Sequence, residues 1–310
     1  MVREHGDGAG RRAARGGRAQ AHIEDMEHRF AAEIEASASA VHRIDGMPPA
    51  PAACAPEGEA PSGAVVHVVD GDATSVIVEH GRGRAQFCDM AVLDCASFTH
   101  PAGGYERGFW GQEEALCADS YLCNILKRQA DWYAENRRRN INCNLYRNRA
   151  LLVPHVRFAR EKVHAYADVI VAAAPHARRA RDEYKVDADV LARTMRERIR
   201  FVLSIADELG HDKLVLGAFG CDSNGWDAGE VAEMLCEELA AGSHAAHEVY
   251  LAIPRTRHQE TYERFEHAFA AFPKVNTESY EDLRARREAK AAAEAQAVQD
   301  EDEDDWRKYL

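Results

Sequence analysis

Val92-Leu-Asp-Cys-Ala-Ser-Phe-Thr-His-Pro-Ala-Gly-Gly-Tyr-Glu-Arg-Gly-Phe-Trp-Gly-Gln-Glu-Glu-Ala-Leu-Cys117, with an amphipathic continuation to Leu126, decides the fold of this chain. It reads as a strand, a glycine-bearing loop and a helix. The loop is His100-Pro101-Ala102-Gly103-Gly104, and the helix opens on Gln112-Glu113-Glu114. A Gly-Gly pair lets backbone approach a ligand closely and adopt positive φ. Two carboxylates at a helix start, just beyond such a loop, fit a site. They also fit ordinary first-turn acids that favour the helix dipole.

A second loop of the same kind lies downstream. Lys213-Leu-Val-Leu216 is a short strand, followed by Gly217-Ala218-Phe219-Gly220-Cys221-Asp222-Ser223-Asn224-Gly225 and then Trp226. A helix is expected from near Asp227. Strand, glycine loop and helix N-terminus together would make an anion cradle. A tight turn with ordinary glycines fits as well. The loop is not a Walker motif, since no Gly-Lys-Ser/Thr follows, and it lacks the early βαβ context of a dinucleotide fingerprint.

Around these loops the pattern alternates. Ala64–Val69, Met90–Leu93, Ala150–Val153, Ala167–Ala173 and Glu248–Pro254 read as further strands. Val190–Leu209 is the clearest helix, with Leu191, Met195, Ile199, Val202 and Ala206 at three- and four-residue steps and Gly210 as its stop. Gln112–Lys127 suits one broad helical face, and Trp132–Asn144, polar and basic, a solvated helix or loop, with a basic rim for a polyanion as the sharper alternative. Alternation from about Val65 to Phe272 predicts a mostly parallel sheet covered by helices, an α/β fold. Ligands in such sheets bind beyond the carboxyl ends of the strands, where both glycine loops fall.

Residues 1–20 are rich in Gly, Ala and Arg and read as a frayed lead; 21–40 have helical composition. Prolines 48, 49, 51, 56 and 61 mark a linker. The expected organisation is an N-terminal tail and helical extension with this linker (1–63), a compact α/β domain (64–275) and a charged C-terminal tail (276–310).

The 310 residues carry a formal net charge of −13, which argues against a general nucleic-acid binder, so no DNA partner is expected. Eight cysteines are scattered without a Cys-x-x-Cys pair, consistent with reduced thiols in the cytoplasm. No apolar run approaches a membrane span. No metal-ligand spacing is visible in sequence, and a mechanism without metal or other cofactor is expected.

Ala102-Gly103-Gly104 followed at this spacing by Gln112-Glu113-Glu114 resembles the Gly-Gly-Gly…Gln-Glu-Glu signature of poly(ADP-ribose) glycohydrolases. Leu214-Val-Leu-Gly-Ala-Phe-Gly-Cys221 resembles the diphosphate loop of the bacterial-type members. The likeness covers roughly residues 64–272. It implies a macrodomain-like, three-layer α/β/α fold with a mixed sheet and an N-terminal helical extension. It implies as substrate the ribose–ribose O-glycosidic bonds of poly(ADP-ribose) carried on modified proteins. By the family pattern Glu114 would be the catalytic acid/base, Glu113 would hold ribose hydroxyls, and Gln112 would support the loop. Ala102, Gly103 and Gly104 would wrap ribose and phosphate, and Gly217–Gly225 the diphosphate. Asp94 stands where the family carries Asn, Ala102 where it carries its first glycine, and Asn224 where it carries an aromatic, with Trp226 as a substitute stacking surface.

Neighbouring helix residues do not face one another, so Glu113 and Glu114 cannot flank a glycosidic bond as opposed carboxylates do. A single carboxyl must then move the proton both ways. Two alternatives to this hydrolase stay open: a non-catalytic ADP-ribose reader, and a hydrolase of another ADP-ribosyl conjugate.

Overall fold

The computed structural model describes residues 4–48, 63–221, 223–242, 244–256, 260–274, 276–290 and 292. In order, the elements are α1 (Glu4–Ser39), β1 (His42–Asp45), β2 (Val65–Val69), α2 (Ala73–His80), β3 (Met90–Cys95), α3 (Gln112–Ala118), α4 (Leu122–Lys127) and α5 (Ala130–Arg139). Then come β4 (Arg149–Arg160), β5 (Val163–Ala172), α6 (Ala177–Tyr184), α7 (Ala188–Leu209), β6 (Lys213–Leu216), α8 (Ala228–Ala241), β7 (Glu248–Ala252) and α9 (Thr261–Phe269).

The described strands form one sheet in the order β1-β4-β5-β3-β6-β7-β2. From β5 to β2 all pairs are parallel, whereas β4 runs antiparallel to both β1 and β5. The sheet is therefore mixed, and β1, from the segment ahead of residue 64, is one of its two edge strands, with β2 the other. Alternation along β3 divides the core. Met90 and Val92 pack toward α1–α5, while Ala91 and Leu93 pack toward α6–α9. Helices thus cover both faces.

The stripe on α7 is buried as its spacing predicts, and Gly210 closes the helix at φ 67°. The expected single helix over Gln112–Lys127 is two helices. Ser120 accounts for the break: its hydroxyl donates to the Leu116 carbonyl (2.7 Å) and accepts the Leu122 N–H (3.1 Å), competing with the helical ladder. Trp132 and Tyr133 of α5 are almost wholly buried, so this polar, basic segment is no solvated helix. The lead is helical rather than frayed: α1 starts at Glu4, and Ala19, Ile23 and Ile34 are buried along it. The central linker at 49–62 and the acidic run Asp300–Asp305 lie outside the described residues.

Candidate active site

β3 and β6 are parallel neighbours, so their carboxyl ends, and the loops that follow, share one rim of the sheet. Gln112, at the start of α3, ties that rim together. Its amide nitrogen donates to the Leu93 carbonyl (2.7 Å), and its amide oxygen accepts the Cys95 N–H (2.8 Å). A Cβ built on Gly217 would lie 4.0 Å from Gln112 Cγ and 3.7 Å from Cys95 Sγ. Gly217, which opens the second loop, therefore lies beside Cys95 and Gln112, the residues that flank the first.

Glu113 and Glu114 hold opposite sides of the first loop. Glu113 Oε2 accepts the Ser97 N–H at 2.7 Å, and Glu114 Oε1 accepts the Gly104 N–H at 2.8 Å. Between them lies Gly103, at φ 55°. A Cβ there would stand 2.6 Å from an oxygen of each carboxylate, so no side chain fits. Glu113 is 4% exposed, whereas Glu114 is only partly buried and open to a ligand.

Ala102 adopts φ 56° and is buried. A left-handed conformation is costly for a residue with a Cβ, and here the glycine-type backbone persists without the glycine. Helix α5 braces the loop from behind. Asn136 donates to the Phe98 carbonyl (3.0 Å), and Arg137, expected on a solvated surface, donates to the Thr99 carbonyl. Phe98 in turn stacks on Tyr146 with ring centroids 4.4 Å apart.

Asp94 lies on the α3 side of the sheet, on the same face as Met90 and Val92. It is fully buried, and neither carboxyl oxygen has a hydrogen-bond partner among the described residues. Burial pushes its carboxyl well above the usual range, and the nearby Glu114 charge adds to this. Glu113 is raised too, by burial and then by Asp94, with the Ser97 N–H pulling the other way. An unpaired carboxylate in such surroundings would be costly, so the neutral acid is favoured for Asp94. A protonated Asp94 offers one donor and one acceptor, as an Asn would.

In the second loop, Asn224 donates to the Ala174 carbonyl (3.1 Å), and its own carbonyl accepts the Arg178 N–H (3.0 Å). Trp226 lies in the core rather than on the open side of the loop. It is 7% exposed, and its indole N–H donates to the Pro175 carbonyl at 2.8 Å. The stacking surface expected from it is instead a loop anchor. The N-terminus of α8 is capped by Asp227, which accepts the Gly229 and Glu230 N–H groups. That carboxylate occupies the helix end expected to greet an anion, so an anion here would rely on the loop backbone. Asp222 lies outside the described residues.

Sequence reasoning missed one support. Along α1, Arg15 Nε donates to the Gly108 carbonyl (2.8 Å) and His22 Nδ1 meets the Tyr105 hydroxyl (3.0 Å). Exposed Phe109 and Trp110 then lead into α3. The one signal available was the helical composition after residue 20.

Residues 22–161 match the family model of the microbial-type PARG catalytic domain. This span takes in Asp94, the first glycine loop and Gln112-Glu113-Glu114, and stops short of the second loop. The fold agrees with solved PARG structures. The poly(ADP-ribose) glycohydrolase of Thermomonospora curvata, bound to the inhibitor ADP-HPD, superposes with a TM-score of 0.66 at 23% identity, covering 83% of this chain and 99% of that one. The enzyme of Deinococcus radiodurans in complex with ADP-ribose gives 0.63 at 24%, covering 78% and 98%. A point mutant of the latter gives 0.63 at 25%, covering 75% and 95%. No curated protein matches the chain. Among the described residues, no helix is long and apolar enough to cross a membrane.

Proposed function

We propose that this chain hydrolyses the ribose–ribose O-glycosidic bonds of poly(ADP-ribose) and releases ADP-ribose, with Glu114 as general acid/base. The observation that carries the reading is the convergence of Glu113 and Glu114 on Gly103. It sits within a span that matches the microbial-type PARG catalytic domain.

The two acids divide the work by exposure. Glu113 is buried and bound to Ser97 N–H, and its remaining oxygen has no partner among the described residues, which suits a ribose hydroxyl. Glu114 would donate its proton to the leaving 2′-oxygen as positive charge builds on the anomeric carbon. It would then take a proton from the water that attacks that carbon. Ala102, Gly103 and Gly104 would lie along ribose and phosphate, and Gly217–Gly225 along the diphosphate, with Trp226 and Asn224 holding that loop in shape. Asp94, as the neutral acid, would donate a hydrogen bond to the ligand where the family uses Asn. The substrate would be carried on modified proteins. The eight cysteines, scattered without a Cys-x-x-Cys pair, fit reduced thiols in the cytoplasm.

The test is ADP-ribose release from poly(ADP-ribose) by the wild type and by Glu114→Gln. The expected result is release by the wild type and a loss of about 10²–10⁴-fold in the variant, with ADP-ribose binding retained. A wild type that binds ADP-ribose and releases none is a reader or acts on a different ADP-ribosyl conjugate. A wild type that neither binds ADP-ribose nor releases it sinks the proposal.

A further inference from the structure

A second cluster of chemistry-bearing side chains lies away from the glycine loops. Cys88 precedes β3, His155 sits in β4 where the register with β5 shifts, and Asp168 lies in β5 opposite Ala91. Asp94 pairs three residues further along, at Val171, so Asp168 is about 10 Å away in the strand direction. Asp168 also shares the alternation of Ile170, which packs with the α7 face, whereas Asp94 faces α3.

One ligand atom from each of Cys88, His155 and Asp168 falls within 4.8 Å of the other two. His155 Nδ1 is 3.2 Å from Asp168 Oδ1, and Cys88 Sγ is 3.8 Å from the same oxygen. Around a tetrahedral zinc ion the N···O and S···O edges would be about 3.4 and 3.6 Å. The observed separations lie within a few tenths of an ångström of these. Thiolate, imidazole and carboxylate are a donor set that favours zinc over the hard cations magnesium and calcium.

Two further features suit a ligand set. The second oxygen of Asp168 is held by His211 Nε2 at 2.9 Å, which turns Oδ1 toward Cys88 and His155. Such outer contacts orient metal ligands. His155 is also held at φ 55°, a left-handed conformation that aims its ring at Asp168. Its side chain is 51% exposed, which leaves a route in for an ion.

We propose that Cys88, His155 and Asp168 form a zinc site with a fourth position open to water. The site ties the segment before β3 to the β4–β5 hairpin. On binding, the Cys88 thiol proton leaves to solvent and its sulfur turns from the Met90 and Tyr166 carbonyls to the ion.

The experiment titrates metal-free full-length protein with Co²⁺. The expected result is one near-ultraviolet thiolate-to-cobalt band that saturates at one equivalent and is abolished by Zn²⁺. Cys88→Ser should lose the band while keeping the wild-type far-ultraviolet circular dichroism. His155→Gly, in which glycine suits the left-handed backbone, should raise the half-saturating Co²⁺ concentration at least about ten-fold. No thiolate band in the wild type overturns the proposal, as does an undiminished band in Cys88→Ser or unchanged affinity in His155→Gly.

Discussion

Glu113 and Glu114 reach the same glycine: a single Cβ added at Gly103 would collide with an oxygen of each, at 2.6 Å. The position also has a φ of 55°, so Gly103→Ala would be strained twice over. One of the carboxylates must then move, or the loop must. Displacements of about 1 Å cost catalysis on the order of 10²-fold. Gly103→Ala should therefore lower kcat/KM for ADP-ribose release by at least about 10²-fold. Wild-type activity in this variant would sink the geometric reading of the site.

Ala102 invites the opposite substitution. Relief of its left-handed backbone is worth about 1–2 kcal/mol. The greater freedom of an unfolded glycine offsets about 0.5–1 kcal/mol, and loss of a buried methyl about 0.8 kcal/mol. The terms nearly cancel, so Ala102→Gly should leave the thermal midpoint within about 3 °C of wild type. Ala102→Val, which places a β-branched side chain at the same buried φ of 56°, should lower it by several times that. Differential scanning calorimetry of the pair checks both signs.

Gln112 is expected to matter for stability before chemistry. Gln112→Ala removes its bonds to Leu93 and Cys95, at about 1 kcal/mol each. The urea midpoint should fall by the equivalent of about 2 kcal/mol with the slope unchanged. At neutral pH Gln112→Glu should lower the midpoint at least as far, because it keeps an acceptor for the Cys95 N–H but turns a carboxylate oxygen toward the Leu93 carbonyl in place of a donor. A midpoint unchanged in Gln112→Ala would contradict the role of this side chain as a tie.

Asp94 gives a pH dependence. Its carboxyl is raised in the folded protein by burial and by Glu114, so the folded state holds a proton that the unfolded chain gives up near pH 4. Stability should therefore fall as pH rises above about 4, until the folded group itself ionises. Asp94→Asn removes that cost. The variant should gain in thermal midpoint at neutral pH and gain nothing near pH 4. A gain that does not change with pH would show that Asp94 is not held neutral.

Much of this site was legible in the chain because it is local. Ala102–Gly104 and Gln112–Glu114 are close in sequence, and glycine and paired acids carry their own signal. The stripe on α7 was equally plain. Long-range packing was not. Trp132 and Tyr133 sit among polar and basic residues, and only their burial, with the bonds of Asn136 and Arg137 to the Phe98 and Thr99 carbonyls, shows α5 to be a brace for the segment that enters the first glycine loop. The strand expected over Ala150–Val153 runs from Arg149 to Arg160, continuing past Pro154 through a shift in register. Trp226 looked like a ligand surface because composition does not reveal which way an indole faces. Cys88, His155 and Asp168 have no recognisable spacing; two sheet pairings bring them together.

The grip of α1 on the first glycine loop also bears on how the protein is made. Arg15 reaches the Gly108 carbonyl across 93 residues of chain. At about 5–20 residues per second, a ribosome needs about 5–20 s to deliver that partner. Until then the stripe of Ala19, Ile23 and Ile34 faces water and is open to holding chaperones. Chains stalled before residue 108 should be cleaved within α1 by added protease, and released full-length chains should resist. Early protection would show that the helix is sheltered by something other than its native partner. The helix is thus made well before the loop segment it packs against.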